Sequence, residues 1–88
     1  MKIRGSFVMR EIAGEHLAIP VNETALHFGG MIILNPVSQV IWECLQTETD
    51  LEDIVDAITR RFDVCAKIAR EDAIAFIDQM RSENLLDE

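Results

Sequence analysis

The chain has 88 residues, 10.0 kDa, with 49% hydrophobic and 27% charged residues and a formal net charge of -8 at pH 7. That length supports a single domain over residues 1–88 with one modest core and little room for an enclosed catalytic cavity. Sixteen acids against eight bases repel phosphate backbones, which argues against nucleic-acid binding driven by counterion release.

The charge is unevenly placed. Residues 1–35 balance Lys2, Arg4 and Arg10 against Glu11, Glu15 and Glu23, so residues 36–88 carry the whole excess. Cys44 and Cys65 lie in no Cys-x-x-Cys pair or Cys/His cluster, so reduced thiols and no metal site are expected. No apolar run reaches the roughly 18 residues of a membrane span, and Met1-Lys2-Ile3-Arg4-Gly5 lacks the apolar stretch of a signal peptide. A cytoplasmic protein without membrane contact is the expectation.

In chain order, residues 6–12 are rich in β-branched and large apolar side chains and end at Ala13-Gly14, where Gly14 can supply the positive φ of a tight hairpin. The next run, His16 to Val21, sets Leu17, Ile19 and Val21 on one face, with Pro20 suited to an edge or an end. After an Asn22-Glu23-Thr24 turn, residues 25–34 predict a third strand. Leu26, Phe28, Ile32 and Leu34 fall on one of its faces and His27, Met31 and Ile33 on the other. Gly29-Gly30 in its middle suggests a bulge, a bend or close approach of another backbone.

Asn35-Pro36 switches the period. Val37, Val40, Ile41, Cys44 and Leu45 recur at helical spacing over about 36–46. Thr49 stands three residues before Glu52, the spacing of a capping box, ahead of a second helix with Leu51, Ile54, Val55, Ile58 and Phe62 on one stripe. A break at 63–66 precedes a third helix over about 68–83, where Ala73, Phe76, Ile77 and Met80 make the buried stripe. The fold class is therefore α+β, a three-stranded antiparallel meander followed by three α-helices.

Catalytic chemistry is sparse in this pattern. His16 and His27 have no paired carboxylates or thiols at ligand spacing, Ser38 lacks a Gly-x-Ser-x-Gly context, and Gly29-Gly30 lacks the length and Lys of a phosphate loop. Cys44 sits on an apolar helical stripe, and Cys65 lies in an acidic loop. Trp42 falls one position off the first helix's stripe and reads as a residue packed at the core margin. The acidic residues of the last two helices fall mostly opposite their apolar stripes, as a solvated face does. The feature left over is the apolar third strand, which either belongs to ordinary sheet core or offers an edge to an extended peptide.

Three segments carry a family resemblance. Leu34-Asn35-Pro36-x-Ser38-x-Val40-Ile41-Trp42-Glu43-x-Leu45, then Asp50-Leu51-Glu52-Asp53-Ile54-Val55, then Phe76-Ile77-x-x-Met80-x-x-x-Asn84-Leu85-Leu86, resemble the coenzyme PQQ synthesis protein D (PqqD) family. The segment after Leu45 departs from the family in reading Gln46-Thr47-Glu48-Thr49 where an Asp-Gly turn is common, and Ser38 stands where relatives often carry Gly or Ala. The resemblance implies a winged helix-turn-helix-like domain that recognises ribosomally made precursor peptides. It binds the leader segment and delivers it to a modifying enzyme, for the namesake a radical S-adenosylmethionine protein, with no cofactor of its own.

In that family the leader pairs antiparallel with the third strand and lies between it and the third helix. Carried over by position, the strand residues are Leu26, His27, Phe28, Gly29, Gly30, Met31, Ile32, Ile33 and Leu34, and the helix residues are Ala69, Asp72, Ala73, Phe76 and Met80. Two other readings remain open. A winged-helix DNA-binding regulator would need a basic recognition helix, whereas residues 68–83 hold Arg70 and Arg81 against Glu71, Asp72, Asp78 and Glu83. A structural homodimer would pair the strand edges of two copies.

Overall fold

The computed structural model describes all residues from Met1 to Glu88. In chain order the elements are β1 (Lys2–Ile3), β2 (Phe7–Ile12), β3 (Glu15–Pro20), α1 (Glu23–His27), β4 (Ile32–Leu34), α2 (Pro36–Cys44), α3 (Leu51–Arg61), α4 (Ala66–Ser82) and β5 (Leu86–Asp87). They fall into two units, one formed by Met1–Arg4 with Pro36–Glu88 and the other by Gly5–Asn35.

The helical unit owes its elements to the apolar spacing and to firm ends. Helix α3 starts at Asp50, whose carboxylate accepts the Asp53 N–H at 2.8 Å, so the cap is Asp50 and not the expected Thr49. Helix α4 begins at Ala66, two residues earlier than its period indicates, and closes with Asn84 in the left-handed region at φ 59°. The Leu85 N–H donates to the Met80 carbonyl at 2.9 Å and the Asn84 N–H to the Arg81 carbonyl at 3.0 Å. That pair of bonds is a Schellman motif, and Met80 and Leu85, both buried, supply its apolar contact.

The ends of the chain are tied into the same unit. Strands β1 and β5 pair antiparallel, Lys2 with Asp87 and Ile3 with Leu86. The Ile3 N–H donates to the Leu45 carbonyl and the Arg4 N–H to the Leu85 carbonyl, both at 2.8 Å. The terminal ammonium meets the Glu48 carboxylate and donates to the Thr49 carbonyl. Side chains with no exposed surface, Leu45, Ile54, Ile58 and Met80, fill this unit together with the nearly buried Ile41 and Trp42.

The sheet unit is a meander of strand order β2-β3-β4, all antiparallel. The first two strands are joined by a two-residue turn in which Ala13 (φ 53°) and Gly14 (φ 82°) are both left-handed, the pattern of a type I′ hairpin. Register places Met9, Ala18 and Ile32 in one cross-strand row and Arg10, Leu17 and Ile33 in the next.

The expected third strand over residues 25–34 is corrected. Only Ile32–Leu34 is strand, while Glu23–His27 forms the short helix α1 and Phe28–Met31 connects the two. An apolar run with both faces greasy does not distinguish a strand from a helical turn by period. Ala25 and Leu26 favour helix, and Glu23 and His27 complement the dipole at its two ends. Five residues cannot hold a helix by propensity alone. The fixing contact is Thr24, whose Oγ1 accepts the Ser6 N–H at 2.8 Å. Gly5 (φ 101°) is required beside it, since a Cβ there would lie 2.8 Å from Thr24 Oγ1. The element count is corrected with it, to four helices and a second, two-stranded sheet.

Candidate functional site: an open sheet edge

β4 is paired on one side only. Its register to β3 runs Ile32 with Ala18, Ile33 with Leu17 and Leu34 with His16, and no strand follows it in the sheet. In an antiparallel ladder successive residues turn their N–H and C=O groups alternately toward the two neighbours, so a three-residue edge leaves main-chain donors and acceptors unpaired on its outer side. Ile32 and Leu34 are buried at 5% and 3% exposure, while Ile33 between them is 64% exposed. Met31, two residues before Ile33, is 54% exposed. The edge carries apolar side chains and no lysine, proline or bulge, so its three-residue length is all in its own strand that blunts it.

The expected site residues divide sharply. Ile32, Ile33 and Leu34 form the edge strand, and Phe28, Gly29, Gly30 and Met31 are the segment entering it. Leu26, 80% exposed, and His27 belong to α1 and not to the strand. Phe28 is held by an edge-to-face contact with Phe7, ring centroids 6.2 Å apart. A Cβ at Gly29 or Gly30 would meet nothing within 4 Å, and neither residue has a positive φ. Nothing within the chain packs against this pair, and the glycine that permits a close approach inside the fold is Gly5.

In the helical unit, Ala69, Asp72, Ala73, Phe76 and Met80 all lie on α4. Ala69, Ala73 and Met80 have no exposed surface, Phe76 retains 8%, and Asp72 alone of the five is exposed. With its observed bounds α4 carries Lys67, Arg70 and Arg81 against Glu71, Asp72 and Asp78, a neutral helix and not the net acidic one its expected bounds gave. It is not a basic recognition helix on either count.

Burial raises the Cys44 thiol above its ordinary value, reinforced by Glu43 and Asp53 against the opposing pull of Arg61, so it rests as the protonated, weakly nucleophilic form. No three His, Cys, Asp or Glu side chains stand together as a metal site, and no helix is long and apolar enough to cross a membrane. Trp42 is buried at 3% exposure, a core residue with no face open for stacking a ligand.

The coenzyme PQQ synthesis protein D family matches residues 21–86, three quarters of the chain. Among solved structures, one described as TbiB1 in complex with the TbiA(beta) leader peptide is similar over 99% of this chain and 95% of its own, at 25% identity and a TM-score of 0.72. No curated protein matches the sequence.

Proposed function

Because the chain belongs to the coenzyme PQQ synthesis protein D family, we propose that it is a non-catalytic peptide-binding protein. It captures the leader of a ribosomally made precursor peptide by strand addition and presents it to a modifying enzyme, a radical S-adenosylmethionine protein. In this reading residues 1–88 act as one cytoplasmic, winged-helix-like recognition domain.

The observation that carries the proposal is the open, apolar edge of β4, with Ile33 exposed between buried Ile32 and Leu34. An extended peptide laid against it forms main-chain hydrogen bonds that any sequence can make, and its side chains supply selection. Support comes from the likeness to TbiB1, whose structure is a leader-peptide complex and which spans nearly the same length of chain. A disordered leader loses conformational entropy as it orders, so backbone pairing alone gives weak binding and anchoring side chains must add to it. Of the carried-over residues, Phe28 to Leu34 act at the edge; on α4, Asp72 is the one open to a ligand in the unbound chain.

The test is an amide chemical-shift titration of the labelled protein with a synthetic leader peptide from the precursor encoded beside its gene. Shifts should be largest at Gly29 to Leu34. Saturable binding with those amides unmoved would overturn the proposal. A homodimer paired through the same edge would instead show as concentration-dependent light scattering that peptide abolishes.

A further inference from the structure

Cross-strand rows show how the open edge would read a sequence. Side chains directly opposite one another in an antiparallel sheet share a face. On one face Arg10, Leu17 and Ile33 form a row, and Val8 pairs with Ile19 in the adjacent row. Exposure along the first row is informative. Leu17, flanked by Arg10 on one side and Ile33 on the other, is 7% exposed, whereas Ile33, flanked on one side only, is 64% exposed. From Leu17 to Ile33 the row is apolar, and it stops at the edge. Continuing the register one residue past the start of β4 sets Met31, 54% exposed, beside Ile19 in the second row. Two rows, each apolar across β3 and β4, therefore end at the same open edge, two residues apart.

We propose, building on strand addition at β4, that the cognate leader carries two apolar, β-branched or aromatic side chains at alternate positions, which complete these rows by packing against Ile33 and Met31. The occupant is an extended peptide because the incomplete rows and the unpaired backbone belong to the same three to four residues. Whatever strand satisfies the backbone must also set alternate side chains beside Ile33 and Met31. Strand addition extends β4 back to Met31, and Gly29 and Gly30, free of steric demand in the unbound chain, allow that extension. Selection in this scheme acts on the sheet face that bears Ile33, opposite the one that buries Ala18, Ile32 and Leu34.

The experiment measures leader affinity by calorimetry for the parent protein and for Ile33→Thr, Met31→Thr and the double variant, using the same synthetic leader. Both side chains are exposed and Thr keeps strand propensity, so the fold persists. Each single change should weaken binding roughly two- to fivefold, and the double on the order of tenfold, from the ordinary strength of cross-strand pairs. Ile12→Thr is the control, since Ile12 lies on the same face, 56% exposed, but on the strand at the far edge of the sheet. It should leave affinity unchanged. A double variant that binds as tightly as the parent while β4 amides still shift would overturn the side-chain inference and leave strand addition standing. An Ile12→Thr loss equal to that at Ile33 would overturn it as well, by reducing the effect to general hydrophobicity. If β4 amides do not shift in the parent, strand addition itself fails.

Discussion

Fourteen of the eighteen buried apolar residues belong to the helical unit, whereas five of the seven large apolar side chains left in solvent (Met9, Ile12, Leu26, Met31 and Ile33) belong to the sheet unit. The two units also treat their ends differently. In the helical unit a carboxylate caps α3, a Schellman motif closes α4, and β1 with β5 ties the first residues to the last. In the sheet unit both outer strands are unpaired on one side, and three of its residues other than Gly5 sit at positive φ: Ala13, Asn22 and Gly14. Satisfied ends and interior apolar surface make a scaffold. Unpaired backbone and exposed apolar surface, which a free-standing protein ordinarily suppresses, are what the proposed strand addition would cover.

The sharpest way to break this contrast is to replace one isoleucine in each unit. Ile58 has no exposed surface, so Ile58→Ala removes three carbons from a packed interior and should cost about 2–5 kcal/mol of unfolding free energy. Ile33→Thr in the exposed edge should change stability by no more than about 0.5 kcal/mol while weakening leader binding. Urea denaturation of the two variants reads the difference. Equal destabilisation would mean that the edge is structural and not reserved for a ligand.

A smaller effect probes the hairpin. Gly14 at φ 82° has open space around it, so Gly14→Ala meets no neighbour, and its cost is backbone strain alone, about 1–2 kcal/mol. Ala13 at φ 53° already carries such strain, so Ala13→Gly or Ala13→Asn should raise stability, by up to about 1 kcal/mol. Opposite signs at adjacent residues, measured by thermal unfolding, would establish that the turn is type I′. Two changes of the same sign would refute that geometry.

The same division governs what could be read before the structure was known. The helices were legible because Ile54, Val55 and Ile58, or Ala73, Phe76 and Ile77, repeat at 3.6-residue spacing and are in fact buried. The first hairpin was legible from Gly14. Strands β1 and β5 were not, because two residues cannot display a period and their pairing joins positions 2 and 87. Helix α1 was hidden for a different reason: Ala25 to Leu34 alternates acceptably as a strand, and the Ser6 to Thr24 hydrogen bond that settles the matter is tertiary. At the candidate site, Ile32, Ile33 and Leu34 came from the resemblance and from the apolar pattern together. Leu26 and His27 were expected on the same strand and lie instead on helix α1. On α4, a buried stripe and a ligand-lining stripe have the same spacing, so the pattern of Ala73 and Met80 reads equally as either.

The smallest expected effect lies on the surface of the helical unit and tests whether its closure depends on charge. Arg70 on α4 makes a two-pronged pair with Glu52 on α3, at 2.6 and 3.0 Å. Hydrogen bonding from Arg70, and then its charge, hold the Glu52 carboxyl below its ordinary value near 4.5, and the same pair raises the Arg70 guanidinium. Because Glu52 is depressed in the folded chain, its contribution is present above about pH 4.5 and is lost as pH falls through the folded value. The raised Arg70 contributes at every pH below its own ionisation, so acid affects the pair only through Glu52. Both side chains are exposed, so the effect should be slight and salt-sensitive. Arg70→Gln should therefore lower the urea midpoint slightly at pH 7 and low salt, and the parent and variant curves should converge once pH falls below the folded value of Glu52, or in 1 M salt. A gap of constant size across pH would show that Arg70 acts through the packing of its aliphatic stem, leaving the seam between α3 and α4 to its apolar residues.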